Sequence, residues 1–167
     1  ANEVSVAWRE IIARRSPSAI ILSRQNLTVV DRTTHASANE VAKGAYILKA
    51  ASGKAKVTLV ATGSEVSLAL DVAAALEAKS ISSAVVSAPC LEWFDAQPDS
   101  YRTSVLPKDS LKVSIEAGIS QGWHRYVGSD GLTISLEHYG ASASAPVLFK
   151  EFGFSVEAIV PRIEAAL

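Results

Sequence analysis

Val57-Thr58-Leu59-Val60-Ala61-Thr62-Gly63-Ser64-Glu65-Val66 is the stretch that decides the fold of this chain. Residues 57–61 form a short, mostly apolar run, which is typical of a strand in a buried parallel sheet. Thr62-Gly63-Ser64 predicts a turn, and Thr62 and Glu65 have the spacing of a helix capping box. Apolar side chains then recur on one helical stripe: Val66, Ala69, Leu70, Ala73 and Leu76. The stretch therefore predicts a strand, a turn and a helix.

The same alternation continues along the chain. Further strands are predicted at residues 44–48, 84–87, 111–115 and 132–136. Further helices are predicted at residues 99–105, 123–127, 147–151 and 156–166, with Pro161 kinking or delaying the last one. Alternating strands and helices indicate a three-layer α/β fold, in which helices flank a mostly parallel sheet.

The amino-terminal part follows a different plan. Residues 3–15 predict a helix that Asn2 caps and Ser16-Pro17 ends, with one apolar stripe made of Val4, Ala7, Trp8, Ile11 and Ile12. Ala19-Ile20-Ile21-Leu22 predicts a second buried strand. Residues 25–43 are polar and predict a linker with one helical turn near Asn39–Lys43. This helix and strand have no earlier strand to pair with, as if the chain entered a fold part-way.

Arg24 is the candidate binding residue. It follows the predicted strand directly, within Ser23-Arg24-Gln25-Asn26. Ligands of open α/β sheets collect at the carboxyl ends of the strands, and a planar guanidinium with five donors suits a phosphate or a carboxylate. The structural alternative is an arginine that satisfies backbone carbonyls or forms a surface ion pair.

Composition excludes several classes of function. Of the 167 residues, 49% are hydrophobic and 20% are charged, and the net charge is −1 with no basic cluster for nucleic acid or an anionic membrane. No apolar stretch is long enough to span a bilayer. The single cysteine, Cys90, fits a reducing cytosol, so we expect a cytoplasmic protein. His35, His124 and His138 lack metal-ligand spacing, so no metal site is predicted.

Three other places could carry chemistry. The Thr62–Ser64 turn could bind a small anion at a helix start, or Ser64 could serve a small hydrolase, although the second glycine of a nucleophile elbow is missing. Glu116, His124 and Tyr126 lie close enough in sequence for acid–base work. We favour structural roles for all of them, because nothing supplies a nucleophile or a cofactor cradle. Cys90 is predicted to be a small buried hydrophobe. No catalytic residue is assigned.

A series of short motifs also runs along the chain in a fixed order: Leu22–Leu27, Ala61–Val66, Val85–Ser87 with Pro89, Trp93–Asp95, Tyr101–Arg102 with Ser104–Pro107, Glu116–Gly118, Tyr126–Gly128, Leu148–Phe149 and Glu151–Gly153. In this order and spacing they resemble the C-terminal part of bacterial transketolases, over essentially all 167 residues. The resemblance implies that residues 1–34 are the tail of a pyrimidine-binding domain (its last helix and strand) and the start of a linker. Residues 35–167 would be the C-terminal α/β domain.

The resemblance also implies a function for the whole enzyme. Transketolases transfer a two-carbon ketol unit between sugar phosphates, usually in the pentose phosphate pathway, with thiamine diphosphate and a divalent cation (Mg or Ca). They are homodimers. The arginine of the family's Ser-Arg-Gln motif, here Arg24, reaches the substrate phosphate. The Gly-Asp-Gly…Asn cofactor motif is missing from these residues, so we expect this chain to bind no cofactor and to be inactive alone, supporting the dimer and the other domains.

Overall fold

A computed structural model describes all residues from 1 to 167. Five strands form one sheet: β1 Tyr46–Lys49, β2 Val57–Ala61, β3 Ser83–Ser87, β4 Leu111–Ile115 and β5 Leu132–Ile134. Seven α-helices accompany them: α1 Asn2–Arg14, α2 Glu65–Ala78, α3 Leu91–Asp95, α4 Asp99–Val105, α5 His124–Val127, α6 Ala145–Glu151 and α7 Val156–Glu164. Short 3₁₀ helices span Ala38–Lys43 and Ser120–Gly122.

The strand order across the sheet is β1-β3-β2-β4-β5. Strands β2 to β5 are parallel, and only β1 runs antiparallel, against β3. The predicted mostly parallel sheet is therefore confirmed. Strand β1 lies at one edge of the sheet, and β3 separates it from β2, the next strand along the chain.

The core lies on both faces of the sheet. Because side chains alternate along a strand, Leu59 and Val60 of β2 belong to different clusters. The larger cluster packs strand residues against α2 and α7, represented by Leu76 and Ile159. The smaller cluster packs the opposite face against Phe94, Val105 and Trp123, from α3, α4 and the start of α5. These three layers confirm the predicted α/β fold.

The predicted strand at Ala19–Leu22 is wrong for this structure. Residues 17–23 belong to no strand, and the side chains of Ile21 and Leu22 are 95% and 57% exposed. A strand needs a neighbour for its N–H and C=O groups, and neither edge strand, β1 or β5, pairs with this segment. The apolar run thus has the composition of a buried strand without a sheet to join.

The predicted stripe on the first helix is also wrong in part. Helix α1 forms as expected, but its buried residue is Val6, whereas Trp8 and Ile12 are exposed. The helix packs against the 3₁₀ helix Ala38–Lys43, where Arg9 reaches the Asn39 side chain. Trp8 and Ile12 therefore face away from the α/β core, whereas Val6 belongs to its larger cluster.

The capping contacts at the amino-terminal ends of the helices differ from the predicted ones. Helix α2 has Ser64 at its N-cap position without a side-chain cap, so the Thr62–Glu65 capping box does not form. Instead the Thr62 carbonyl accepts from the Glu65 N–H at 3.2 Å. Asn2 lies inside α1 and does not cap it. Helix α7 begins at Val156, where the Ser155 hydroxyl accepts from the Ala158 N–H, and it continues through Pro161.

Candidate functional site

The crevice between the carboxyl ends of β2 and β4 is the place where a fold of this kind binds ligands. After β2 the chain crosses to β3 on one side, and after β3 it returns to β4 on the other side. Such a reversal opens a crevice outside the carboxyl ends of the two central strands. The Thr62–Glu65 turn follows β2, and Glu116 follows β4, so both border this crevice.

Two acidic side chains occupy the crevice. Glu65 is only 4% exposed, and its Oε1 accepts a hydrogen bond from the Ser64 hydroxyl at 2.9 Å. The Oε2 atom of Glu116 is buried and accepts no hydrogen bond. Burial raises the pKa of Glu65. Burial, followed by the neighbouring Glu65 carboxylate, raises the pKa of Glu116 to about 7. The crevice is thus bordered by acidic side chains.

The carboxyl groups and the hydrogen bond of Ser64 disfavour both alternatives for the Thr62–Ser64 turn, the anion site and the hydrolase. An anion at the start of α2 would meet the Glu65 and Glu116 carboxylates. A hydrolase needs Ser64 to donate to a histidine, but its hydroxyl donates to Glu65. The rings of His35 and His138 instead contact backbone oxygens of Asp31 and Tyr139, each through Nδ1. No serine–histidine pair is assembled.

Within the Glu116–Tyr126 region, Trp123 and Tyr126 have structural roles in the packing of the sheet. Trp123 is buried in the smaller core cluster, and Tyr126 packs beside it with ring centroids 6.2 Å apart. The Tyr126 hydroxyl donates to Asp95 at 3.0 Å, while His124 is exposed. Glu116 caps no helix, because its side chain accepts no hydrogen bond. The acid–base interpretation therefore has no assembled geometry.

Helix α1 covers the neighbouring carboxyl end, that of β3. The Glu3 Oε1 atom accepts from the Tyr46 hydroxyl at 2.6 Å and from the Ser87 hydroxyl at 2.7 Å. Arg32 donates to the same Tyr46 oxygen at 2.9 Å and lies 3.7 Å from Glu3 Oε1. Burial raises the pKa of Tyr46, and the Glu3 carboxylate raises it further, so the phenol remains a donor. These four residues, the Glu3 network, fasten α1 to the sheet.

Breaking the Glu3 network is expected to destabilise the chain. Glu3→Gln replaces a charged acceptor shared by two hydroxyls, and should lower the free energy of unfolding by about 1–3 kcal/mol. Urea denaturation measures it. Glu10→Gln is the matched control on the same helix, because Glu10 pairs only with the exposed Arg9 and should cost less than about 1 kcal/mol. Equal losses in the two variants would contradict a special role for Glu3.

Arg24 lies apart from these features. It is exposed in the irregular segment after α1, and its guanidinium forms no hydrogen bond or ion pair within the chain. The sheet does not bring it to the crevice. The structural alternative for Arg24, an ion pair or a carbonyl contact, therefore does not occur among these 167 residues, and its role stays a prediction.

The remaining candidates carry little chemistry. Burial raises the pKa of the Cys90 thiol, which lies 3.5 Å from Glu92 Oε2, so the thiolate is disfavoured at neutral pH. No group of three or more His, Cys, Asp or Glu side chains could hold a metal ion, so the residues here do not fit a divalent-cation site. No helix of the structure has the length and apolar character needed to cross a membrane.

Two arrangements of acidic residues were not predicted from the sequence: Glu65 and Glu116 at the crevice, and the Glu3 network. Glu65 and Glu116 each follow a predicted strand, and the carboxyl ends of parallel strands meet at one edge, so their proximity could have been inferred. The Glu3 network had no such signal, because residues 3, 32, 46 and 87 lie far apart in sequence. Only the docked position of α1 brings them together.

The fold defines a class: a doubly wound α/β domain in which two acidic residues, Glu65 and Glu116, border the crevice between the central strands. Residues 44–155 match the family model described as the transketolase-like C-terminal domain. The chain belongs to the transketolase family and corresponds to the C-terminal part of its members.

Individual relatives agree over nearly the whole chain. It is 47% identical to the transketolase of Mycobacterium tuberculosis over 176 residues, which cover 100% of this chain and 25% of the relative. It is 46% identical to the transketolase of Aquifex aeolicus, covering 98% of this chain and 24% of the relative. The solved transketolase from Leishmania mexicana superposes with a TM-score of 0.89 at 41% identity, covering 99% of this chain and 24% of that one. The chain thus spans about a quarter of the length of these relatives.

Proposed function

We propose that this chain acts as the C-terminal part of a cytoplasmic transketolase, which transfers a two-carbon ketol unit between sugar phosphates. The match to transketolases over 98–100% of the chain, at 46–47% identity, supports this most strongly. A solved relative from Pichia stipitis is described as a complex with sedoheptulose 7-phosphate, which is consistent with phosphorylated sugars as substrates. Thiamine diphosphate and its divalent cation would be held by other parts of the longer protein.

The exposed apolar side chains of the amino-terminal part support a domain junction there. Trp8 and Ile12 on α1, with Ile21 and Leu22 after it, expose apolar surface that a soluble domain normally covers. In our proposal residues 1–34 complete the preceding pyrimidine-binding domain, and Ala19–Leu22 becomes a strand once that domain's sheet provides a neighbour. The Glu3 network would then hold α1, the last helix of the pyrimidine-binding domain, on the C-terminal domain, residues 35–167.

Arg24 is the one residue to which we assign contact with substrate. It follows the apolar run, so the same pairing that orders Ala19–Leu22 would place Arg24 at the carboxyl end of a strand. Its guanidinium is free of partners within the chain and can therefore donate to a sugar phosphate. The rest of the chain would support the fold and the homodimer and would be inactive alone.

A ketol-transfer assay on the full-length protein tests the activity. With a ketose phosphate donor, an aldose phosphate acceptor, thiamine diphosphate and Mg²⁺, we expect transfer that disappears when either cofactor is left out. Full-length protein that transfers no ketol unit under these conditions would overturn the proposal.

Deleting residues 45–167 from the full-length enzyme is expected to weaken the dimer. We expect sedimentation velocity to show monomers at concentrations where the intact enzyme is dimeric, because the C-terminal domain would contribute contact surface. A truncated enzyme that remains folded by circular dichroism and dimeric at the same dilution would contradict the supporting role.

A stand-alone domain that binds small anions is the second candidate, and the acidic crevice counts against it. Mass action requires a true ligand to raise the melting temperature of the chain. We expect inorganic phosphate to leave it unchanged at constant ionic strength. A rise that saturates with phosphate concentration would favour this candidate.

A further inference from the structure

Helix α1 presents two opposite faces. Because an α-helix turns by about 100° per residue, Glu3, Val6 and Arg14 share one face, and all three contact the α/β domain. Trp8 and Ile12 lie about 140° and 180° from Glu3 around the helix, and their side chains are exposed. One face of α1 is therefore packed on the α/β domain, and the opposite face is apolar and uncovered within the chain.

Arg14 holds the carboxyl-terminal end of α1, as the Glu3 network holds the amino-terminal end. Its guanidinium donates to the Ala42 carbonyl at 3.0 Å and lies over the Trp93 ring, 3.9 Å from the ring centroid. Ala42 belongs to the 3₁₀ helix Ala38–Lys43 and Trp93 to α3, so one side chain joins α1 to two elements. A guanidinium stacked on an aromatic face combines cation–π attraction with a fixed orientation. We name these contacts the Arg14 clamp.

The chain leaves α1 directly after the Arg14 clamp. Arg15 ends the helix with φ +51°, the left-handed conformation that commonly ends helices, and Ser16-Pro17 prevents its continuation. Ala19–Leu22 begins five residues after Arg14, and Arg24 lies ten residues after it. Because so short a connection has a limited reach, the end of α1 restricts where the apolar segment can begin.

We propose that Arg14, stacked on Trp93, is a positioning residue that sets the location of Arg24 relative to the substrate phosphate. The inference rests on the proposed function, in which Ala19–Leu22 becomes a strand and Arg24 binds the phosphate. The Arg14 clamp fixes α1 on the α/β domain, and α1 fixes the start of the strand that ends at Arg24. Without the clamp Arg24 keeps its chemistry and loses its fixed position, and a misaligned hydrogen bond to phosphate is weak.

Steady-state kinetics of the full-length enzyme with thiamine diphosphate and Mg²⁺ tests the proposal. We expect Arg14→Ala to raise KM for a phosphorylated ketose about three- to tenfold, with kcat and the KM for a donor without a phosphate changed by less than about twofold. Trp93→Leu removes the ring and should have the same effect, whereas Trp93→Phe keeps an aromatic face and should stay close to wild type. Arg15→Ala removes the adjacent exposed arginine, which has no side-chain partner, and should leave KM unchanged.

A double-mutant cycle shows whether Arg14 acts through Arg24. In an Arg24→Ala background, Arg14→Ala should raise KM no further, because the group that it positions is gone. Equal effects of Arg14→Ala in both backgrounds would overturn the proposal, and so would an Arg14→Ala enzyme with the wild-type KM. Circular dichroism checks that each variant is folded, and Trp93→Leu with an unchanged KM would overturn the proposal even if Arg14→Ala did not fold.

Failure of the proposed function has a different signature in the same experiment. It would appear as wild-type enzyme without ketol transfer, or as Arg24→Ala with an unchanged KM, and either result would overturn the inference as well. A raised KM in Arg24→Ala together with a wild-type KM in Arg14→Ala would overturn the positioning role of Arg14 alone.

Discussion

Arg24→Ala in the full-length enzyme is expected to raise KM for a phosphorylated ketose by about 10- to 100-fold, with kcat changed only a few-fold. A charge-assisted hydrogen bond contributes about 1.5–3 kcal/mol, and each 1.4 kcal/mol is a factor of ten in binding. The phosphate lies away from the reacting carbons, so its contact is equally strong in the ground and transition states, and its loss appears in KM. Steady-state kinetics with the phosphorylated donor measures both parameters.

Two controls make the Arg24 experiment specific. A donor without a phosphate should lose nothing, because the contact under test is absent from it. Arg15→Ala removes another exposed arginine without side-chain partners from the same region, and should leave KM unchanged. If Arg24→Ala keeps the original KM for the phosphorylated ketose, Arg24 does not bind the phosphate.

Gly44→Ala is expected to lower the free energy of unfolding by about 3–5 kcal/mol. Gly44 has φ +86° and ends the 3₁₀ helix before β1, where its carbonyl accepts from the Cys90 N–H at 3.0 Å. A Cβ atom there would overlap the Cys90 carbonyl oxygen and the Phe94 nitrogen, and would lie 2.7 Å from the Trp93 carbonyl carbon. These are backbone atoms of a helix start, so they cannot move aside as a flexible side chain can.

Gly53→Ala is the matched control for this effect. No atom lies within 4 Å of a Cβ built at Gly53, and its φ is not positive, so the change should stay within about 1 kcal/mol. Urea denaturation of both variants provides the comparison. A loss at Gly44 as small as that at Gly53 would mean that the backbones of Gly44 and Cys90–Phe94 do not meet as described.

Elements within the α/β domain could be predicted from sequence because each carries its own periodic signal and finds its partners inside the chain. Strands β2 and β4 and helix α4 have the predicted bounds, Val57–Ala61, Leu111–Ile115 and Asp99–Val105. Helix α3, Leu91–Asp95, escaped prediction because five residues are too few to show a helical period. The antiparallel direction of β1 is seen only in its pairing with β3, which is distant in sequence, so no local pattern encodes it.

The amino-terminal segment shows why composition alone can mislead. Ala19–Leu22 has the residues of a buried strand, but hydrogen-bonding partners decide whether a strand forms, and none of the five strands here provides them. For the same reason the stripe of α1 containing Trp8 and Ile12 predicts a buried face without saying what buries it. Both features are consistent with a segment whose partners lie in another part of a longer protein.

The candidate site was predictable in position more than in chemistry. Strand-end reasoning, extended from Arg24 to Thr62–Glu65 and Glu116, would mark both as neighbours of the ligand crevice. It could not foresee that Glu65 would be buried, since the burial depends on how α2 packs across the sheet. With this packing, the carboxyl groups of Glu65 and Glu116 border the crevice and disfavour the binding of a small anion there.

The central claim is that this chain works as part of a larger transketolase. The most direct measurement is an immunoblot of lysate from source cells, with an antibody raised against residues 45–167. We predict one band at about four times 17.6 kDa, because the chain spans 25% of the length of its relatives. A single band at 17.6 kDa would contradict the claim and would leave a domain that functions alone.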